Sequence, residues 1–272
     1  VRVQTEPMSI LKTVDIGDAL YMRKILGTSF VVSAFVCGAV FGVARAVADG
    51  EPSADALVKL ADDARFPRGA VVFQVKAEDL SKGKKVRETV YRVMTKGAGK
   101  TLVETIIPER QQGRKLLMLE SDLWFFSPDI KRPTRVSLQQ KLTGEISKGD
   151  IANTDYAGDY DAKLVAKETV DGKSAYHLHL TSKSKSATYA AIDYWIDAKT
   201  KAPIQASFLS VSGKVMKRGT YDRMAQVLGR ERVTRFKVED AYAKGKVSVL
   251  TYSQHKQDKL DDSLFSKESM GQ

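Results

Sequence analysis

The sequence predicts a mainly β protein with a few helices (α+β), its strands running antiparallel as a sandwich or barrel. Three observations carry that expectation. Strand-length runs follow one another at short spacing from residue 70 almost to the end, with no long helix between them. The gaps carry turn chemistry: Ser81-Lys82-Gly83-Lys84, Lys96-Gly97-Ala98-Gly99, Val170-Asp171-Gly172-Lys173 and Ser212-Gly213. No repeat of fixed period is present, which excludes propellers and solenoids.

In chain order, residues 22–48 read first, as an export signal. Met22-Arg23-Lys24 is a positive start, Ile25 to Val43 is apolar, and Ala44-Arg45-Ala46 and Ala46-Val47-Ala48 both offer small-x-small cleavage. The apolar stretch is long enough for an uncleaved anchor; its serines, threonine and glycines favour cleavage. A signal must open a chain, so residues 1–21 are expected to lie upstream of the physiological start. Residues 49–272 are then a single mature domain. The one cysteine, Cys37, falls inside the signal, so the mature chain has no thiol for a disulfide or a metal. That suits an oxidising compartment.

The mature chain opens with a helix over Ser53 to Arg65. Ser53 can cap it, and Ala56, Leu57, Leu60, Ala61 and Ala64 recur at helical spacing. Phe66-Pro67-Arg68-Gly69 stops it. Strands are expected over 70–78, 85–95, 100–107, 114–119, 123–127 and 134–137. After an irregular segment come 161–169, 174–181, 188–196, 204–211, 214–224, 232–239 and 247–253. In 85–95, Val86, Val90 and Met94 share one face and Arg87, Thr89 and Tyr91 the other, which gives the first set to a core or a ligand and the second to solvent. In 174–181, Tyr176, Leu178 and Leu180 oppose His177 and His179. Asp258 to Phe265 reads as a short terminal helical turn.

The stretch L-L-M-L-E-S-D-L-W-F-F-S-P-D-I-K-R-P (Leu116 to Pro133) is the most informative. Two apolar runs across the polar break Glu120-Ser121-Asp122 read as a hairpin. Neither run alternates with polar residues, so both faces should be covered by apolar material. Lys131-Arg132-Pro133 follows as a basic, rigid rim. The pairing suggests a ligand with an oily body and a charged head.

Candidate chemistry is sparse. His177 and His179 could be two metal ligands, but no clear third accompanies them, and alternate polar positions on a strand usually face water. Asp155, Asp159 and Asp161 lack the twelve-residue calcium-loop spacing. No nucleophile elbow, phosphate loop, zinc-protease or dinucleotide motif occurs. The expectation is therefore no catalysis, no metal and no cofactor. The net charge of +11 is spread along the chain. Without a nucleic-acid-binding motif it points to anionic lipid rather than nucleic acid.

Gly113 to Ser137, G-R-K-L-L-M-L-E-S-D-L-W-F-F-S-P-D-I-K-R-P-T-R-V-S, is preceded by T-L-V-E-T-I-I-P-E-R-Q-Q-G (Thr101 to Gly113). It is followed by G-D-I-A-N-T-D-Y-A-G-D-Y-D-A-K-L (Gly149 to Leu164). This ordered series resembles the outer-membrane lipoprotein-sorting protein family of Gram-negative bacteria, the LolA/LolB-like periplasmic carriers. The resemblance covers essentially the whole mature region. It implies a strongly curved antiparallel sheet forming a half-open barrel packed on helices, and a periplasmic chaperone that shields the acyl chains of a lipid or lipoprotein. Leaving about ten methylenes in water costs roughly 8 kcal/mol, so such cargo needs a carrier. An inner-membrane lipid or lipoprotein transporter and an outer-membrane acceptor are the implied partners, with the carrier itself a monomer.

On that reading Trp124, Phe126, Leu116, Met118, Val90, Met94 and Tyr176 are expected to line the acyl cavity, with Lys131, Arg132 and Arg135 touching an anionic headgroup or membrane. A periplasmic sensor of envelope lipid or lipoprotein state is the alternative.

Overall fold

Ser53 caps the first helix as its position suggests. Its side chain accepts a hydrogen bond from Ala56 N (3.2 Å), satisfying an amide that has no partner inside the helix. The helix, α1 (Ala54–Arg65), ends at Phe66 in extended backbone. Its buried stripe is Leu57, Val58 and Ala61 together with Asp62 and Arg65. Leu60 sits at the margin of that stripe and is 42% exposed. The computed structural model describes residues 51–152 and 155–272. The expected upstream extension 1–21, the expected export signal 22–48 and Cys37 lie outside the described residues.

The strands form close to where the sequence places them. The first six are β1 (Ala70–Ser81), β2 (Lys84–Lys96), β3 (Lys100–Ile107), β4 (Lys115–Leu119), β5 (Asp122–Phe126) and β6 (Thr134–Val136). The segment read as irregular holds β7 (Lys141–Thr143), β8 (Ile146–Ser147), α2 (Lys148–Ala152) and α3 (Tyr156–Asp159). Then come β9 (Tyr160–Val170), β10 (Lys173–Ser182), β11 (Ala191–Asp197), β12 (Pro203–Leu209), β13 (Val215–Val227), β14 (Arg230–Asp240) and β15 (Lys246–Gln257). Two 3-10 turns, Asp262–Phe265 and Glu268–Gly271, follow.

Among the described residues, and apart from the small β7–β8 pair, the strands join one 13-stranded antiparallel sheet in the order β6-β5-β4-β3-β2-β1-β15-β14-β13-β12-β11-β10-β9. Neighbours in sequence are neighbours in space except where β1 meets β15. That single closure puts the middle of the chain at both edges of the sheet. The connection from β6 to β9 must therefore run from one edge to the other, and it does so across a face.

The faces are unequal. The inner face carries Val71, Phe73 and Val75 of β1, Tyr91 and Val93 of β2, and Val103, Leu116, Met118 and Leu123 of β3 to β5. Tyr176, Leu178, Leu180, Ile192, Tyr194, Phe208, Phe236 and Leu250 continue it across the other half. α1 and the crossing connection cover this face, contributing Leu57, Val58, Ala61, Leu138, Ile146, Ile151 and Tyr156. The outer face has a smaller cluster, Met94, Leu102, Leu117 and Phe126, roofed by Leu260, Phe265 and Met270 of the C-terminal segment.

The two-sided burial expected for the 116–126 hairpin is thus present. The face assignment in β2 is reversed. Val93 pairs with Val103 and Phe73 on the inner side, while Met94 faces outward and Val86 is 65% exposed. The run Val90-Tyr91-Arg92-Val93-Met94 is apolar at both parities, so alternation alone could not choose a face.

Candidate functional site

Cross-strand register brings Val103, Leu116 and Phe125 into one row on the inner face, with Tyr91 and Thr105 paired beside it. Leu142 of β7 and Lys148 of α2 stand opposite. Between this floor and the crossing connection lies a cavity of about 160 Å³, bordered also by Gln111, Arg114 and Lys141. On the other side of the same connection is a hollow of about 350 Å³, lined by Thr188, Tyr189, Leu209, Met216 and Lys217 among others.

The crossing connection is fixed by three buried carboxylates. Thr143 Oγ1 donates to Asp79 Oδ2 (2.5 Å), and Ser248 Oγ donates to Asp79 Oδ1 (2.6 Å). Ser248 Oγ in turn accepts from Glu145 N (2.8 Å). The β7–β8 turn presses onto this group at Gly144, which has φ +46 and where a Cβ would sit 1.9 Å from Asp79 Oδ1. Asp150 accepts from Tyr189 OH (2.8 Å) and Ser147 N (2.8 Å), with Lys217 Nζ 4.0 Å away. Burial pushes Asp150 up and Lys217 down from their usual ranges, each partly opposed by the other. Asp62 accepts from Ala157 N (2.8 Å) and from Arg65 Nη1 (2.9 Å). Burial raises Asp62 to about 6 against the pull of Arg65. The Arg65 guanidinium lies 3.7 Å from the Tyr156 ring centroid.

The residues expected to line one cavity lie on two faces. Leu116, Met118 and Tyr176 belong to the inner core. Met94 and Phe126 belong to the outer cluster, with Trp124 packed against it under the Lys267 ammonium, 4.6 Å from its ring. Val90 is half-buried at the parity of Met94. Of the seven, Leu116 borders the 160 Å³ cavity. Lys131 stands beside Phe126 and Met270 on the outer face. Arg132 is exposed, and Arg135 is paired with Asp122 next to Trp124. Lys131 and Arg132 border none of the inner-face hollows described above, whereas Arg135 borders a hollow shared with Leu123, Val136 and Leu138 of the inner core.

His177 stacks on Trp195 (4.3 Å between centroids), and His179 Nδ1 is 2.7 Å from Asp193. Among the described residues no group of three His, Cys, Asp or Glu side chains is placed to hold a metal. Asp155 lies 3.9 Å from Arg68, and Asp161 3.8 Å from Lys183.

Sequence reasoning missed Asp62, Asp79, Gly144 and Asp150. For Asp62 a signal existed, because it falls at helical spacing from Val58 on the apolar stripe of α1.

A family model described only as "-like: Uncharacterized protein" matches residues 97–272. A crystal structure of a LolA superfamily protein from Nitrosomonas europaea is 35% identical, with a TM-score of 0.76 over 80% of this chain and 99% of that one. The chain belongs to the LolA superfamily. Two further structures match at a TM-score of 0.70, each over 80% of this chain and 98% of its own. One is a DUF1329 family protein from Desulfovibrio piger (22% identity), the other a protein from Vibrio parahaemolyticus described as an outer membrane lipoprotein-sorting protein domain (18% identity). These two support the fold alone. No curated protein matches.

Proposed function

We propose that this LolA-superfamily protein is a periplasmic, non-enzymatic carrier. It would shelter the acyl chains of a lipid or lipoprotein against the inner face of a curled sheet, between an inner-membrane transporter and an outer-membrane acceptor. The observation that carries this reading is the cover of the inner face. Over much of its area the apolar sheet is roofed by short elements held through buried polar groups, with hollows along both flanks. A roof of this kind can be displaced by an apolar ligand that replaces its contacts.

Curling of the sheet has its own support. Flat, 13 strands would separate the two edges by about 58 Å. The connection from Ser137 to Asp159 spends its length on a hairpin and two helices, and reaches only about 40 Å. Gln139, just beyond β6, donates to Ala187 O (3.0 Å) between β10 and β11, so opposite ends of the strand order approach one another.

The test is a titration of delipidated protein (residues 49–272) with a palmitoylated peptide, followed by hydrogen exchange. Saturable binding with faster exchange over residues 138–159 is the expected result. Failure to bind any acylated ligand would overturn the carrier reading, and binding with unchanged exchange would move the acyl site away from the roof.

A further inference from the structure

The 160 Å³ cavity has an uneven chemistry. Its floor is Tyr91, Val103, Leu116 and Phe125, continuous with the inner face. Its mouth carries Arg114, Lys141 and Lys148, and no carboxylate is among its lining residues. Lys115 also borders it, but that ammonium reaches Gln272 O (3.0 Å) and Glu104 (3.7 Å). Arg114 and Lys141 each have a carboxylate at 3.6 Å or more, outside the cavity lining. Arg114 has Asp129 at 4.0 Å, and Asp129 is itself 83% exposed. Lys141 has Glu145 at 3.6 Å.

Lys148 donates to the amide of Gln140 (2.6 Å) and lies 5.6 Å from the Phe125 ring. Burial holds its ammonium below the ordinary lysine range, so an anion placed there would recover part of that cost. Thr105 and Gln111 add neutral polar groups at the same mouth.

We propose that this mouth is a headgroup site: Arg114, Lys141 and Lys148 bind the phosphate or carboxylate of an anionic amphiphile whose chain enters over Leu116 and Phe125. The inference rests on the carrier reading and narrows its cargo to amphiphiles with an acidic head. It places the headgroup contact apart from Lys131, Arg132 and Arg135, none of which borders this cavity.

The experiment compares two single-chain phospholipids of identical acyl chain, lysophosphatidylglycerol and lysophosphatidylcholine, below their micellar concentrations, with glycerol phosphate as the chainless control. Calorimetry on delipidated protein is expected to show the anionic lipid binding at least about tenfold more tightly, an advantage that shrinks in high salt. In the triple variant Arg114→Gln/Lys141→Gln/Lys148→Gln the preference should vanish, the anionic lipid binding no more tightly than the zwitterionic one. A Lys131→Gln/Arg132→Gln variant should keep it.

Equal binding of the two lipids by the unaltered protein would overturn the headgroup site and leave the carrier reading standing. Absence of binding by either would overturn both. Glycerol phosphate binding as tightly as the lipid would show a site for a soluble anion, overturning the amphiphile assignment.

Discussion

Asp62 and Arg65 form an ion pair with almost no solvent contact, at 0% and 5% side-chain exposure. They tie α1 to the crossing connection through Ala157 and Tyr156. The Asp62 carboxyl titrates near 6 in the folded protein and near 3.9 in an unfolded chain. The folded state therefore takes up this proton first, and its stability rises as pH falls through 6 toward 4. The contribution amounts to about 1 kcal/mol between pH 7 and pH 5. Urea midpoints at the two pH values should show this increment, and an Asp62→Asn protein should lose it. An unchanged increment in the variant would assign the pH dependence to other groups.

Gly144 offers a second test at this scale. An added methyl there meets Asp79 and Ser248 and must also adopt positive φ. Gly144→Ala is expected to cost about 2 kcal/mol and to speed hydrogen exchange across residues 141–151 before the rest of the sheet. Uniform acceleration everywhere would mean that the roof does not open as a separate unit.

At the level of elements, the 116–126 hairpin shows what alternation can and cannot convey. That both of its faces are covered was legible, because neither run spaces apolar with polar residues. Which face meets which partner was not. Leu117 and Trp124 pair with each other on the outer side, and Leu116 with Phe125 on the inner. All four side chains are apolar, so only the partners distant in sequence distinguish them.

The crossing connection was illegible for a different reason. Strands of two or three residues and helices of four or five are too short to set up a period. Its anchors are single aspartates whose partners lie 64 and 95 positions away in sequence. The hairpin arrangement separates two substitutions. Trp124→Ala removes packing under the C-terminal turns and should cost about 2 kcal/mol in denaturant melts while leaving acyl-ligand affinity unchanged. Phe125→Ala opens the cavity floor and should lower that affinity. The reverse pattern would place the ligand on the outer face.

For the whole molecule, the decisive feature is the closure of β1 on β15, which leaves β6 and β9 as the sheet edges. The chain between those edges then has to cross the apolar face, so the cover of that face is a consequence of topology rather than an appended lid. A cover threaded in this way stays attached at both ends when it lifts, and only its middle needs to move. Its middle is where the Asp79 and Asp150 contacts sit.

Locking that point should abolish uptake. Glu145 N and Ser248 Oγ are 2.8 Å apart, and the chain has no cysteine after Cys37. A Glu145→Cys/Ser248→Cys protein of residues 49–272 puts one thiol on the β7–β8 hairpin and one on β15, and the cross-link is verified by mass before uptake is read. When oxidised it should melt higher than its own reduced form, because the link restricts the unfolded chain, yet fail to take up a palmitoylated peptide. Reduction should restore uptake to the unaltered level. Full uptake by the oxidised protein would show that the acyl chain enters without displacing the connection at this point.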